Sequence, residues 1–215
     1  MSDTLAKAPR MDRAAALRRS RRLTLLTLVY NLVEFVVAIS AGLAASSAAL
    51  VGFGLDSAIE SSASMILIWR LLRERPDSCS QEDDRVAQRL IAASFVGLAV
   101  WVGQESIRQL VTGAEPEVST VGIALAALSL VTMPLLARAK RQLAPLLGSR
   151  AAEAESQQTM LCAYLSAALL VGLSANALLG WSWADPVAGL VIAALAAREG
   201  WATWRADSLT DTCCG

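Results

Sequence analysis

Residues 48–69 read AALVGFGLDSAIESSASMILIW, and the fold turns on this stretch. As a helix it is long enough to cross a hydrocarbon core about 30 Å thick, which takes roughly 20 residues. Its two ionisable residues, Asp56 and Glu60, are four apart, so a helix sets them one turn apart on a single face. Five other stretches are of similar length and apolarity: 23–45, 90–111, 118–137, 159–179 and 183–204. Together the six use well over half of the 215 residues. Bulk composition leans the same way, with 55% hydrophobic and 18% charged residues and a mean hydropathy of +0.48. Soluble domains average about 45–50% apolar and about 25% charged. The expected fold is an all-α membrane protein, a bundle of six transmembrane helices.

The cations set an expected orientation. Lys7, Arg10, Arg13, Arg18, Arg19, Arg21 and Arg22 precede the first span. Arg70, Arg73, Arg75, Arg85 and Arg89 follow the second, and Arg138, Lys140, Arg141 and Arg150 follow the fourth. Arg198 and Arg205 lie near the end, while Arg108 alone falls on the opposite side. Loops rich in Lys and Arg stay in the cytoplasm, so both termini are expected there and the membrane is expected to be a cell (inner) membrane. The zero net charge hides this asymmetry. The expected organisation is a basic cytoplasmic tail over 1–22, a transport domain over 23–204 and a cytoplasmic stub over 205–215. A cleaved signal peptide does not suit the first span, which is too long, carries Glu34 and is followed by further spans.

Small residues are frequent in every span, notably over 41–49 and 61–64, where they let membrane helices approach closely. Tight turns are expected near 42–47 and 180–185, making hairpins of the first two and last two spans. Asp185-Pro186 suits a helix start, Pro134 a kink, and the polar stretch 77–84 a solvated linker. Trp181, Trp183, Trp201 and Trp204 suit interfacial belts.

Ionisable residues at membrane depth are costly, at about 2.5–3.5 kcal/mol each near a helix centre, and mark ion or substrate paths. Asp56 and Glu60 also repel each other, so a bound cation or protons must compensate. The alternative, burial against a cationic neighbour, finds no Lys or Arg mid-span. Gln158 and Cys162 repeat the four-residue spacing in the fifth span. Alone that pair is weak, because Cys often merely packs and Gln at a helix end often caps or meets water. Two facing helices can nevertheless present all four side chains to one ion, and O and S donors suit a borderline-soft divalent cation. Among the rest, Glu34 with Asn31 either lines the same cavity or makes a helix contact. Glu105 with Arg108 reads as a packing pair, and Asp185 as structural. Cys213-Cys214 is either a metal-collecting thiol pair or an inert tail, and Cys79 reads as a reduced cytoplasmic thiol. There is no His, which removes the commonest metal ligand and the ordinary proton shuttle.

Four segments then bring a family into view. Ser47 through Asp56-xxx-Glu60 resembles the second helix of the cation diffusion facilitators, which carries His or Asp, three residues, then Asp. Gly148-Ser149 with residues 154–162 (AESQQTMLC), Ser166 and Val171-Gly172-Leu173 resembles the fifth, with its His-xxx-Asp falling on Gln158 and Cys162. Residues 105–110 (ESIRQL) resemble the end of the third helix and 185–190 (DPVAGL) the start of the sixth. The resemblance runs over about 23–204. It implies a cation-efflux transmembrane bundle, a metal site of Asp56, Glu60, Gln158 and Cys162, and a secondary transporter exporting a divalent heavy metal of the Zn, Cd or Co type, with proton antiport. It also implies a short member without the cytoplasmic ferredoxin-like domain, which in most members carries regulatory metal sites and dimer contacts. The ligands depart from the family's His and Asp: Gln is a poor ligand, and Cys shifts preference towards thiophilic ions. The expected partners are a divalent cation, protons, lipid and a possible second copy of the chain. No nucleic acid, bound cofactor or enzymatic activity is expected. A non-transporting sensor or interaction protein on the same scaffold is the alternative, and an intramembrane hydrolase has only Asp56 and Glu60 to recommend it.

Overall fold

A computed structural model describes residues 13–73, 81–147 and 150–205. They form six α-helices: α1 (Arg13–Ala44), α2 (Ala48–Arg73), α3 (Gln81–Thr112), α4 (Thr120–Leu147), α5 (Arg150–Leu179) and α6 (Ala184–Arg205). Three are long and apolar enough to cross a membrane: α1, α4 and α5, over Ala15–Ala44, Thr120–Leu147 and Glu155–Leu179. Cys79, Cys213 and Cys214 lie outside the described residues.

Helices α1 and α2 form the expected hairpin. The turn between them is three residues long, and Ser46 takes a left-handed φ of 53°. Ser47 then caps α2, its hydroxyl accepting the Leu50 N–H at 3.0 Å. A Cβ at Gly42 would lie 2.8 Å from the Val51 backbone nitrogen, so the closeness of this hairpin requires glycine. At the second hairpin, Gly180 ends α5 with a φ of 66°, the usual left-handed terminator. Asp185 opens α6 in its first turn.

The helices pair as α1 with α2, α3 with α6 and α4 with α5, and α2 also packs on α3, α5 and α6. One apolar core joins Phe53 of α2, Phe95 and Val102 of α3, Met133 of α4, Leu165 and Leu169 of α5, and Ile192 of α6. The outer faces are equally apolar. On α1, Leu26, Val29, Val33 and Val36 are about 60% exposed, while Thr24, Thr27, Asn31 and Glu34 are buried. A helix that turns its polar stripe inward and its apolar stripe outward is amphipathic in the sense opposite to that of a helix on a water-soluble core.

Several boundaries differ from the sequence reading. α3 begins at Gln81, inside the stretch expected as a solvated linker. α4 runs on past 137 to Leu147, passing through both Pro134 and Pro145. α5 begins at Arg150 rather than near 159. The last two extensions bring Lys140 and Glu155 into the helical bundle, with consequences for the site.

Candidate functional site

A polar pocket of side chains sits between α1, α2, α4 and α5. Asp56 and Glu60 lie one turn apart on α2, at 2% and 0% exposure. Cys162 of α5 is fully buried and interacts with Asp56 and with Glu60. Of the four residues expected to meet, these three share one buried cluster. Gln158 stands one turn before Cys162 on α5. It is buried, with its Nε2 lacking a hydrogen-bond partner.

Glu34 of α1 completes the cluster. Its Oε2 accepts the Ser57 hydroxyl at 2.7 Å and faces the Cys162 thiol at 3.9 Å. Its Oε1 accepts the Ser129 hydroxyl of α4, and that hydroxyl also meets Tyr30 Oη at 2.6 Å. Both readings open for Glu34 find support: its carboxylate bonds hydroxyls of α2 and α4, a helix contact, and it lies beside Asp56, Glu60 and Cys162. Asn31, one turn earlier, is buried beside Glu60. Asn31 is close enough to Glu60 to interact with it, but no hydrogen bond of good geometry satisfies its amide oxygen or nitrogen, or Glu60 Oε2. Buried polar atoms without partners are uncommon, and each calls for an explanation. Here they gather where a cation could take up oxygen donors. Among the described residues, no three Cys, Asp or Glu side chains are already drawn together as a metal-holding group.

The expectation that no Lys or Arg serves these carboxylates is overturned. Lys140 is 4% exposed. Its ammonium donates to Glu155 Oε1 at 2.9 Å and to Thr159 Oγ1 at 3.1 Å. Thr159 in turn donates to Glu60 Oε1 at 2.6 Å. Glu155 is further held by the Ser64 hydroxyl at 3.0 Å and, loosely, by Thr24 at 3.4 Å. By sequence Lys140 falls in the linker after the fourth apolar span, which ends at 137, among Arg138, Arg141 and Arg150. The missed signal is periodic: the buried positions of α4 are Gly122, Ala126, Ser129, Met133, Ala137, Lys140, Leu143, Ala144 and Leu147, all but the adjacent Leu143 and Ala144 three or four apart. Steps of three and four mark one helix face, and Lys140 lies on it.

The other polar residues play the structural parts expected of them. Glu105 and Arg108 form an exposed pair within α3. Asp185 Oδ1 accepts the Ser47 hydroxyl at 2.6 Å and faces the first N–H groups of α2 at Ala48 and Ala49, where a helix terminus favours a carboxylate.

No curated protein matches the chain. Residues 84–209, more than half of it, match the model of the cation efflux transmembrane domain. The match takes in α3 to α6, and hence Gln158, Cys162, Lys140 and Glu155, while Glu34, Asp56 and Glu60 precede it. With three helices apolar and long enough to span and their lipophilic faces turned outward, the chain is an integral membrane protein of the cation efflux, or cation diffusion facilitator, family of cation transporters.

Proposed function

We propose that the protein is a secondary transporter that exports a divalent heavy-metal cation of the Zn, Cd or Co type from the cytoplasm in exchange for protons. The observation that carries the reading is the burial of Asp56, Glu60 and Glu34 with Cys162 inside the bundle. Such a gathering of acids is tolerable in a membrane only when cations or protons neutralise it, and the one buried ammonium beside it among the described residues, Lys140, is already paired with Glu155. Asp56 and Glu60 supply the charge, Cys162 a soft donor and Gln158 at most a weak carbonyl. Side-chain rotation brings them onto the ion. Metal ligands bind only when deprotonated, so metal entering from the cytoplasm displaces protons. Rocking of helix groups exposes the site to the far side, where protons displace the metal and reset the carrier. In this reading all six helices span, the transport domain covers 23–204, both termini are cytoplasmic, and the membrane is the cell's inner membrane.

The test is Zn²⁺ flux into proteoliposomes under an imposed proton gradient. A gradient opposed to metal flow should accelerate uptake, and a protonophore should remove the acceleration. Asp56→Asn with Glu60→Gln should reduce flux to the level of empty vesicles. Flux that survives the double substitution sinks the site. Tight Zn²⁺ binding with no flux in the parent would instead identify a sensor on a transporter scaffold.

A further inference from the structure

Among the described residues, Lys140 is the buried lysine or arginine, and the transport cycle above gives it no part. Its surroundings are built for a cation. Glu155 pairs with it at 2.9 Å, and Ser64 helps hold that carboxylate in place. Its second contact, Thr159 Oγ1, carries one hydrogen and has two acceptors in range, Glu60 Oε1 at 2.6 Å and the Glu155 backbone oxygen at 3.0 Å. While the ammonium donates to the Thr159 oxygen, the hydroxyl hydrogen is free to point at Glu60. A single hydroxyl therefore separates the ammonium from a carboxylate of the candidate site, and the two charges lie within about 6 Å, well inside the range of unscreened Coulomb interaction in a low-dielectric interior.

We propose that Lys140 is a tethered counter-cation of the transport site, holding Glu60 through Thr159 in the metal-free carrier so that an entering divalent ion must bind against it. This rests on the reading that Asp56 and Glu60 bind the transported ion. Two carboxylates, Glu155 and Glu60, share one ammonium on a flexible four-carbon stem. When a metal neutralises Glu60, the ammonium pairs with Glu155 alone and the Thr159 hydroxyl turns to the Glu155 carbonyl. When the metal leaves, the Lys140–Thr159–Glu60 chain re-forms. The lysine thus weakens metal binding and favours release, as a transporter requires and a storage site does not.

The test uses the purified full chain, with Zn²⁺ affinity read by calorimetry and Zn²⁺ flux read in proteoliposomes. Removing the lysine alone leaves Glu155 buried and unpaired, so the informative variant is Lys140→Met with Glu155→Gln, which removes both charges together. It should bind Zn²⁺ about tenfold tighter than the parent, with maximal flux reduced several-fold by slow release. Damage to the fold would weaken binding, so a gain in affinity with a loss of turnover is not a structural artefact. Glu155→Gln alone leaves the ammonium to Glu60 and should weaken Zn²⁺ binding by a similar factor. Should the double variant fail to fold, Lys140→Arg keeps the pair and presents a larger fixed cation, and it should bind Zn²⁺ several-fold more weakly. Affinity equal to or below the parent's in the folded double variant, or unchanged affinity in Lys140→Arg, overturns the proposal. Asp56→Asn with Glu60→Gln separates the two failures. If it retains Zn²⁺ binding, the site itself is wrong. If it loses binding while the Lys140 variants behave as the parent, only the counter-cation falls.

Discussion

At Cys162 a thiol stands where a carboxylate would be expected from the family pattern, and the difference is chemical rather than steric. Sulfur is the softer donor and selects thiophilic ions, whereas carboxylate oxygen serves Zn²⁺, Co²⁺ and Mn²⁺ more evenly. Cys162→Ser keeps the size and the hydrogen-bonding reach towards Glu34 and removes only the softness. It should lower the preference for Cd²⁺ over Co²⁺ by about tenfold, equivalent to about 1.4 kcal/mol, in competition flux assays. An unchanged ratio would remove Cys162 from the ligand set. Asp56, Glu60 and Cys162 were legible in the sequence because polar side chains four apart in apolar runs can only share a helix face. Lys140 was not, because its burial depends on Glu155 of another helix, and a hydropathy window sees only a cation among cations. Glu34 was half legible. Its position in a span was plain, but its hydroxyl partners come from Ser57 of α2 and Ser129 of α4, a tertiary arrangement that no local spacing reports.

The same division holds for whole elements. The six helices follow from apolar runs separated by turns, and the two tight hairpins from Gly42, Ser47, Gly180 and Asp185. The lengths of α4 and α5 do not follow, because the C-terminal end of α4 and the N-terminal end of α5 are too polar to read as membrane-spanning and are held by contacts with each other. The buried ladder of α4 ends in a second small cluster, in which Leu143, Ala144 and Leu147 meet Ala16 of α1 and Ala152 of α5. The opposite end of the bundle is fastened by a cap. Ser47 both accepts from the Leu50 N–H and donates to Asp185, so one hydroxyl ties the start of α2 to the start of α6. Ser47→Ala removes the cap and leaves the buried Asp185 carboxylate one donor short. The expected cost is about 1–2 kcal/mol of stability, seen as a lower thermal midpoint in detergent, with Zn²⁺ affinity unchanged because the site lies further along α2. A loss of affinity equal to the loss of stability would mean that the cap and the site form one unit.

Three connections meet at one end of the molecule. The Glu117 N–H donates to Ala45 O at 2.9 Å, Gln109 Nε2 to Ser46 O at 2.9 Å and Asn176 Nδ2 to Pro116 O at 2.9 Å. The α1–α2 turn, the α3–α4 connection and the end of α5 are therefore neighbours. Among the described residues, that end carries one cation, Arg108, and four acids, Glu105, Glu115, Glu117 and Asp185, with the stacked Trp181 and Trp183, whose ring centroids are 5.2 Å apart. At the far end of α6, Arg205 lies over Trp201 at 4.3 Å and Arg89 of α3 over Trp204 at 6.0 Å. Two aromatic layers at the two ends of a helix suit two membrane interfaces, and in the proposed orientation the end richer in positive charge is the cytoplasmic one. Helix α4, 28 residues long and so about 42 Å at 1.5 Å per residue, has Glu115 just before it and Arg141 near its C-terminal end, both exposed. With Cys79, Cys213 and Cys214 replaced by Ser and Cys162 left buried, Glu115→Cys should react with a membrane-impermeant maleimide on intact cells. Arg141→Cys should react only after permeabilisation. Labelling of both positions from one side would mean that α4 does not cross. The reversed pattern would place the Lys140 end outside, and the proposed cycle would then carry metal inward.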